Sequence, residues 1–227
     1  MDNNLLRRRT RDSVAGFLIA LWLLLFLPAF SLGYWEAWVY WILFSVSVIA
    51  IMLYFLKTDP EFIESRLAAG PVAEQERSQK IIQAFTAIAF ILLSVIPGLD
   101  HRFGWSMIPV AGIAAGDLLA IAGFAIVFLA FRENRFSSAV IKVGEGQAVI
   151  STGPYAVVRH PMYAGASLIL IATPFALGSL WGLVPALLAV AGMALRLLEE
   201  EKFLALNLPG YREYCRKTRY RLVPFIW

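Results

Sequence analysis

Of the chain's 227 residues, 59% are hydrophobic and 16% charged, against roughly half and a quarter in a soluble domain. A water-soluble core cannot hide that much apolar surface, so the bilayer is the natural solvent, and the single cysteine, Cys215, excludes an internal disulfide framework. Two histidines leave little for a metal site, and the net charge of +4 is split into short basic clusters between apolar runs, which argues for membrane topology rather than nucleic acid.

A helix crosses the hydrocarbon core with about 20 apolar residues, and six segments qualify. The first, Val14 to Leu32, follows Arg7, Arg8, Arg9 and Arg11. It is long for a signal peptide and has no small-residue cleavage site, so it reads as a retained helix. The second runs from Ala37 to Leu56, the third from Ile81 to Pro97, and the fourth lies within Met107 to Phe131. Gly112 and Gly116 form a small-xxx-small pair suited to helix packing, and Asp117 reads as an interface or helix-start acid. The fifth and sixth, Met162 to Leu177 and Leu180 to Leu198, are separated only by Gly178 and Ser179, so they form a tight antiparallel hairpin. The connection from Lys57 to Lys80 mixes acids and bases and reads as an amphipathic surface segment without chemistry; His101, beside Asp100 and Arg102, reads as a solvated outer-loop residue.

Six spans put both termini on one side, and the positive-inside rule tests that arrangement. All of the 20 Lys and Arg residues except Arg102 fall at the N-terminus, in the second-to-third and fourth-to-fifth connections, or at the end of segment six and in the tail. The expected fold is therefore all-α integral membrane with both termini cytoplasmic. No repeat or long linker divides the chain, so residues 1–227 read as one membrane domain, with helices one to four in 1–131 and helices five and six with the tail in 132–227.

Polar residues gather at the cytoplasmic ends of the hairpin. Pro154 and Pro161 stiffen the run from Gly153 to Gly165, and Pro161 suits the first turn of helix five. Arg196 and Glu200 are four apart and share a helical face. Counted from the hairpin turn, His160 and Arg196 are each roughly 18 residues away, about 27 Å at the helical rise, so the two motifs converge at one depth. Acids at a helix C-terminus oppose the dipole, which a nearby cation or ligand relieves.

The string Gly153-Pro154-Tyr155, Arg159-His160-Pro161, Tyr163 and Gly165 resembles the isoprenylcysteine carboxyl methyltransferase family and the related phospholipid methyltransferases. The likeness continues through Gly178-Ser179, Arg196, Glu199-Glu200-Glu201 and Leu204 to Gly210-Tyr211, Tyr214 and Arg221-Leu222-Val223-Pro224; Asn134, Phe136 and Ser137 fit ahead of it. It covers about residues 132–225. The resemblance implies an S-adenosylmethionine-dependent methyltransferase, similar to the prokaryotic members, with its active site facing the cytoplasm of a prokaryotic membrane. By position it implies that Gln147, Ala148, Val149, Ile150 and Tyr155 line the cofactor pocket. His160, Pro161, Met162 and Tyr163 would contact the cofactor, Glu200 would bind its polar end, and Arg196 would act as the catalytic and substrate-binding residue facing the methyl acceptor. No metal enters this scheme.

A cation at Arg196 suits an anionic acceptor, so carboxyl O-methylation of an amphiphilic, lipid-like molecule reached from the membrane is the first expectation. An amine acceptor is mostly protonated and would need a base, which leaves phospholipid N-methylation as an alternative. Membrane sterol reductases that use NADPH carry a similar Arg-His-Pro-x-Tyr stretch, but Glu199-Glu200-Glu201 with Leu204 fits the methyltransferases better. Gly144-Glu145-Gly146 lacks the third glycine and the strand–helix setting of a soluble nucleotide site.

Overall fold

The computed structural model describes residues 2–67, 77–136 and 146–227. The described residues form eight α-helices and no strand: α1 (Asn3–Ala29), α2 (Trp35–Thr58), α3 (Pro60–Leu67), α4 (Arg77–Phe103), α5 (Val110–Glu133), α6 (Pro161–Ala176), α7 (Leu183–Asn207) and α8 (Tyr211–Lys217). By length and composition α1, α2, α4 and α5 can each cross a membrane, and α6 is a shorter apolar helix. Large apolar side chains face outward along these helices, for example Ile19, Val46, Leu53, Ile88 and Leu118. Lipid rather than water solvates such a surface. Of the residues singled out above, Ser137, Gly144 and Glu145 lie outside the described residues, as do Lys142 and residues 68–76 of the second-to-third connection.

The closest helix pair is α5 with α6. A Cβ on Gly123 would come within 2.7 Å of the Gly165 carbonyl oxygen, and one on Gly116 within 2.4 Å of the Ala176 nitrogen, so both glycines let the backbones meet. The atoms nearest a Cβ on Gly112 belong to Ile108 and Pro109 of its own chain segment. The packing pair is thus Gly116 and Gly123, two turns apart, rather than Gly112 and Gly116. Asp117 lies two turns inside α5 rather than at its start, with Oδ1 buried and lacking a hydrogen-bond partner among the described residues.

Helices α6 and α7 run back against each other, with Leu170 packed in one cluster with Ala186 and Ala189, and Tyr163 with Leu197. Between them Gly178 adopts φ +68°, a left-handed conformation that glycine enters without a Cβ clash. A buried carboxylate fixes this turn. Asp100 accepts from Ser106 N at 2.7 Å, from Ser106 Oγ at 2.5 Å and from Ser179 Oγ at 2.5 Å. His101, next to it, is in the last turn of α4 rather than in a loop, and its exposed ring stacks on Tyr34 with centroids 4.2 Å apart.

The connection after α2 also departs from a plain surface segment. Asp59 Oδ1 accepts from Phe62 N at 3.1 Å, which starts α3, and Phe62 and Ile63 are buried against Leu6 and Phe55. Helix α3 is thereby held under the bundle, and its last turn carries Arg66 inward.

Candidate active site

Two segments meet at the far end of the α6–α7 hairpin. The first is the loop before α6, where Gly153–Ala156 makes one 3₁₀ turn and Pro161 opens the helix. The second is the last three turns of α7. The tail closes the unit: Arg159 N donates to Tyr220 O at 2.8 Å, His160 N to Arg221 O at 3.0 Å, and Tyr214 Oη to Tyr155 O at 2.8 Å. Glu201 is the hub of this joint. Its Oε1 lies 3.2 Å from His160 Nε2 and 3.1 Å from Arg159 Nε, and its Oε2 accepts from Arg221 Nε at 2.8 Å. Burial alone would raise this carboxyl; hydrogen bonds from His160 and Arg221 and the charge of Arg159 instead hold it down at about 2. Glu199 faces outward and pairs with Lys202 at 2.7 Å.

One residue earlier the helix turns Glu200 the other way. Tyr163 Oη donates to Glu200 Oε2 at 2.7 Å and accepts from Arg196 Nε at 3.2 Å, while Arg196 Nη1 donates to buried Gln79 of α4 at 3.2 Å. These side chains wall a polar cavity of about 80 Å³, lined also by Gln147, Ala148, Val149, Ile150, Tyr155, His160 and Met162. All of the sequence-predicted site residues except Pro161 line it. Pro161 is fully buried in the first turn of α6. Burial pushes the Tyr155 hydroxyl up to about 12, with an Asn134 hydrogen bond opposing the shift, so it stays a neutral group at neutral pH.

A second, apolar cavity of about 770 Å³ lies between α1, α4, α6 and α7, lined by such residues as Phe17, Leu24, Phe90, Leu170 and Met193. Met162, Tyr163 and Arg196 line both cavities. They form the wall between a polar site and a greasy one.

The model of the phospholipid methyltransferase family matches residues 111–208, somewhat less than half of the chain. Residues 111–208 are thus similar to the phospholipid methyltransferases. No curated protein matches the chain. The family is one of membrane methyltransferases, and it implies methyl transfer to a lipid-like acceptor. The matched segment carries α5 except Val110 and all of α6 and α7, and with them most of the polar cavity.

Several residues of the polar cavity carried no predicted role. Arg159, Leu204, Leu208, Tyr211 and Tyr214 line the polar cavity, as do Asn134 and Phe136. The aromatic pair Tyr211 and Tyr214 comes from α8, beyond the matched segment, and Tyr211 Oη is buried with no hydrogen-bond partner among the described residues. The spacing of Tyr211 and Tyr214 on one face of a short helix was readable, but the approach of α8 to Tyr155 was not. Arg66 of α3 lines the apolar cavity beside Met162 and Arg196. Its sequence neighbourhood gave no sign of burial.

Proposed function

We propose that the protein is an S-adenosylmethionine-dependent methyltransferase that methylates an anionic, amphiphilic acceptor drawn from the membrane, most simply at a carboxylate oxygen. The observation that carries this reading is the shared wall: Met162, Tyr163 and Arg196 face a polar cavity on one side and an apolar cavity on the other. A methyl donor and a lipid-like acceptor held in the two cavities would meet there. The polar cavity suits the donor chemically. Glu200 can accept from ammonium or ribose groups, the tyrosine faces suit adenine or a sulfonium, and the orphaned Tyr211 hydroxyl awaits a partner. At about 80 Å³ it is smaller than the roughly 300 Å³ minimum of ordinary ligand pockets. The non-helical strip Gln147 to Ile150 would therefore move outward on binding.

The cofactor supplies a methyl group on a positively charged sulfur, an electrophile that a carboxylate attacks directly. The chain's own task is alignment and exclusion of water. Arg196, fixed by Tyr163 and Gln79, would orient the acceptor carboxylate without neutralising it. Glu200, fixed by Tyr163, would hold the donor's polar end. No proton has to be removed from a carboxylate, and no base is required of these residues. The six-span arrangement completes the proposal: α6 and α7 join the four long apolar helices, both termini lie on the cytoplasmic side with the basic clusters, and the site opens there.

Calorimetric titration of S-adenosylhomocysteine into detergent-purified protein tests the cofactor half. Wild-type binding, lost in Glu200→Ala and weakened in Tyr211→Phe, supports it. No binding to folded wild type, with binding of NADPH in its place, would falsify it in favour of a reductase. Transfer of label to phosphatidylethanolamine, with none to a prenylcysteine acid, would replace carboxyl by amine methylation.

A further inference from the structure

Beyond the long apolar helices, the tail after α8 leaves large apolar side chains uncovered. Phe225 is 87% exposed, Ile226 80% and Val223 46%. Apolar side chains gathered in this way mark a docking surface. The backbone is folded to present them. Trp227 O accepts from Arg221 N at 2.8 Å, Leu222 N at 2.9 Å and Val223 N at 3.1 Å, and Val223 O accepts from Ile226 N and Trp227 N. Residues 221–227 thus make a closed hook. Near its tip Phe225 takes φ +66°, a left-handed conformation that a residue with a large side chain adopts only at a cost.

The level of the hook is set by α6. Arg159 N and His160 N donate to Tyr220 O and Arg221 O directly before Pro161 opens that apolar helix. Leu222 is buried against Tyr163, in the first turn of α6, and against Leu197 of α7. Residues 223–227 therefore start where an apolar helix begins, at the boundary between hydrocarbon and headgroups. Trp227, whose ring centre lies 5.4 Å from the Arg221 guanidinium carbon, is of the residue type that settles at that boundary. Charge points the same way. From Arg212 to Arg221 the tail has five bases and one acid, Glu213. Arg212 donates to Ala205 O, Lys217 pairs with Glu213 at 3.4 Å and Arg221 with Glu201. Arg216 and Arg219 remain as exposed cations.

We infer that residues 223–227 are an interfacial membrane anchor: Phe225 and Ile226 enter the leaflet at whose surface α6 begins, and Arg216 and Arg219 contact the phosphates of its anionic lipids. A surface of this composition, basic on one side and apolar on the other, binds anionic bilayers by both forces together. A soluble protein partner would have to reach the patch at headgroup level, where the leaflet already lies. The inference goes beyond the methyl-transfer reading and does not depend on it. Its consequence for the site is mechanical. The same stretch of tail holds the loop before α6 and engages Glu201, so the strand that closes the polar cavity is tied to the bilayer surface.

Spin-label accessibility in nanodiscs tests this, with the full chain carrying Cys215→Ser and a nitroxide at Ile226→Cys or, as a reference in water, at Glu213→Cys. Both positions are exposed, so neither label disturbs packing. The discs are phosphatidylcholine alone, or phosphatidylcholine and phosphatidylglycerol in equal parts. The label at 226 should collide more often with oxygen than with a neutral nickel chelate, at a depth of about 5–10 Å, and the label at 213 the reverse. Phosphatidylglycerol should draw the label at 226 deeper, and Arg216→Gln with Arg219→Gln should abolish that difference between the two lipids. A label at 226 as open to nickel as the one at 213 overturns the inference. So does one shielded from both reagents, which would place the patch against protein. Equal depth in the two lipids, or a lipid difference that survives the double substitution, overturns the assignment of Arg216 and Arg219 to the headgroups.

Discussion

Tyr163 Oη accepts the Nε–H of Arg196 at 3.2 Å. That leaves its own proton for Glu200, 2.7 Å away. The hydroxyl thus orients with one atom a cation that lines both cavities and an anion that lines the polar one, and each partner's direction depends on the other's. Tyr163→Phe keeps the ring in its buried site and removes only this link. Affinity for S-adenosylhomocysteine and for an anionic amphiphile should both fall about three- to tenfold, in line with the loss of charge-assisted hydrogen bonds. Calorimetry with the two ligands separately checks this; an effect on one alone would mean that Tyr163 serves only that side.

Glu201 makes acid a threat to the site's scaffold. Its carboxyl is held at about 2 in the fold, below the ordinary value of 4.5. A carboxyl with a depressed folded-state pKa stabilises the fold above its unfolded value, and that contribution disappears as pH falls from about 4.5 toward 2. Glu201→Gln should unfold at lower temperature at pH 7, by about 2 kcal/mol of stability, and should show a shallower loss than wild type as pH drops below about 4.5. Tryptophan fluorescence during heating in detergent gives both curves. Parallel curves for the two proteins would show that other carboxyls govern the acid limb.

How far the site was legible in the sequence follows from which distances the chain itself enforces. His160 and Arg196 were expected at one depth because Gly178 and Ser179 leave no room for anything but a hairpin, and both line the polar cavity. Glu200 shares a helical face with Arg196 through four-residue spacing. The same periodicity turns Glu201 about 100° away, toward His160, Arg159 and Arg221, so the division of labour in the acidic run was implicit there too. Each of the six predicted segments overlaps a helix, with boundaries moved by up to eleven residues, at the start of α1, because polar ends such as residues 3–13 and Arg77 to Lys80 continue the helix beyond the apolar stretch. Arg66 and Asp100 were not legible. The burial of Asp100 and the half-burial of Arg66 come from helices distant in sequence, and a short segment with mixed charge resembles any exposed connection.

The contact of α5 with α6 is close, and glycine makes it possible. Gly123→Ala would put a methyl 2.7 Å from the Gly165 carbonyl oxygen, a backbone atom that cannot swing away. Stability should fall by about 1–3 kcal/mol, as for other overpacked positions. A methyl on Gly16 in α1 would meet nothing within 4 Å, so Gly16→Ala should be neutral or slightly stabilising. Thermal unfolding of the two variants side by side distinguishes close packing from a general intolerance of change; equal behaviour would remove the special role of Gly123.

At the other end of the hairpin, Asp100 offers a separation of fold from site. It receives three hydrogen bonds, from Ser106 N, Ser106 Oγ and Ser179 Oγ, and Ser106 Oγ in turn accepts from Leu180 N at 3.1 Å. Every group pointing at the carboxylate is a donor. In Asp100→Asn one acceptor oxygen becomes an NH2 group facing a hydroxyl, and at least one of these bonds is lost. Destabilisation of about 1–3 kcal/mol is expected, enough to lower the melting temperature by several degrees. The site lies at the opposite ends of α6 and α7, so below the new melting temperature the affinity for S-adenosylhomocysteine should be unchanged. A weakened ligand in the still-folded variant would mean that the turn's position is transmitted along both helices to Tyr163 and Glu200, and that the hairpin moves as a rigid lever.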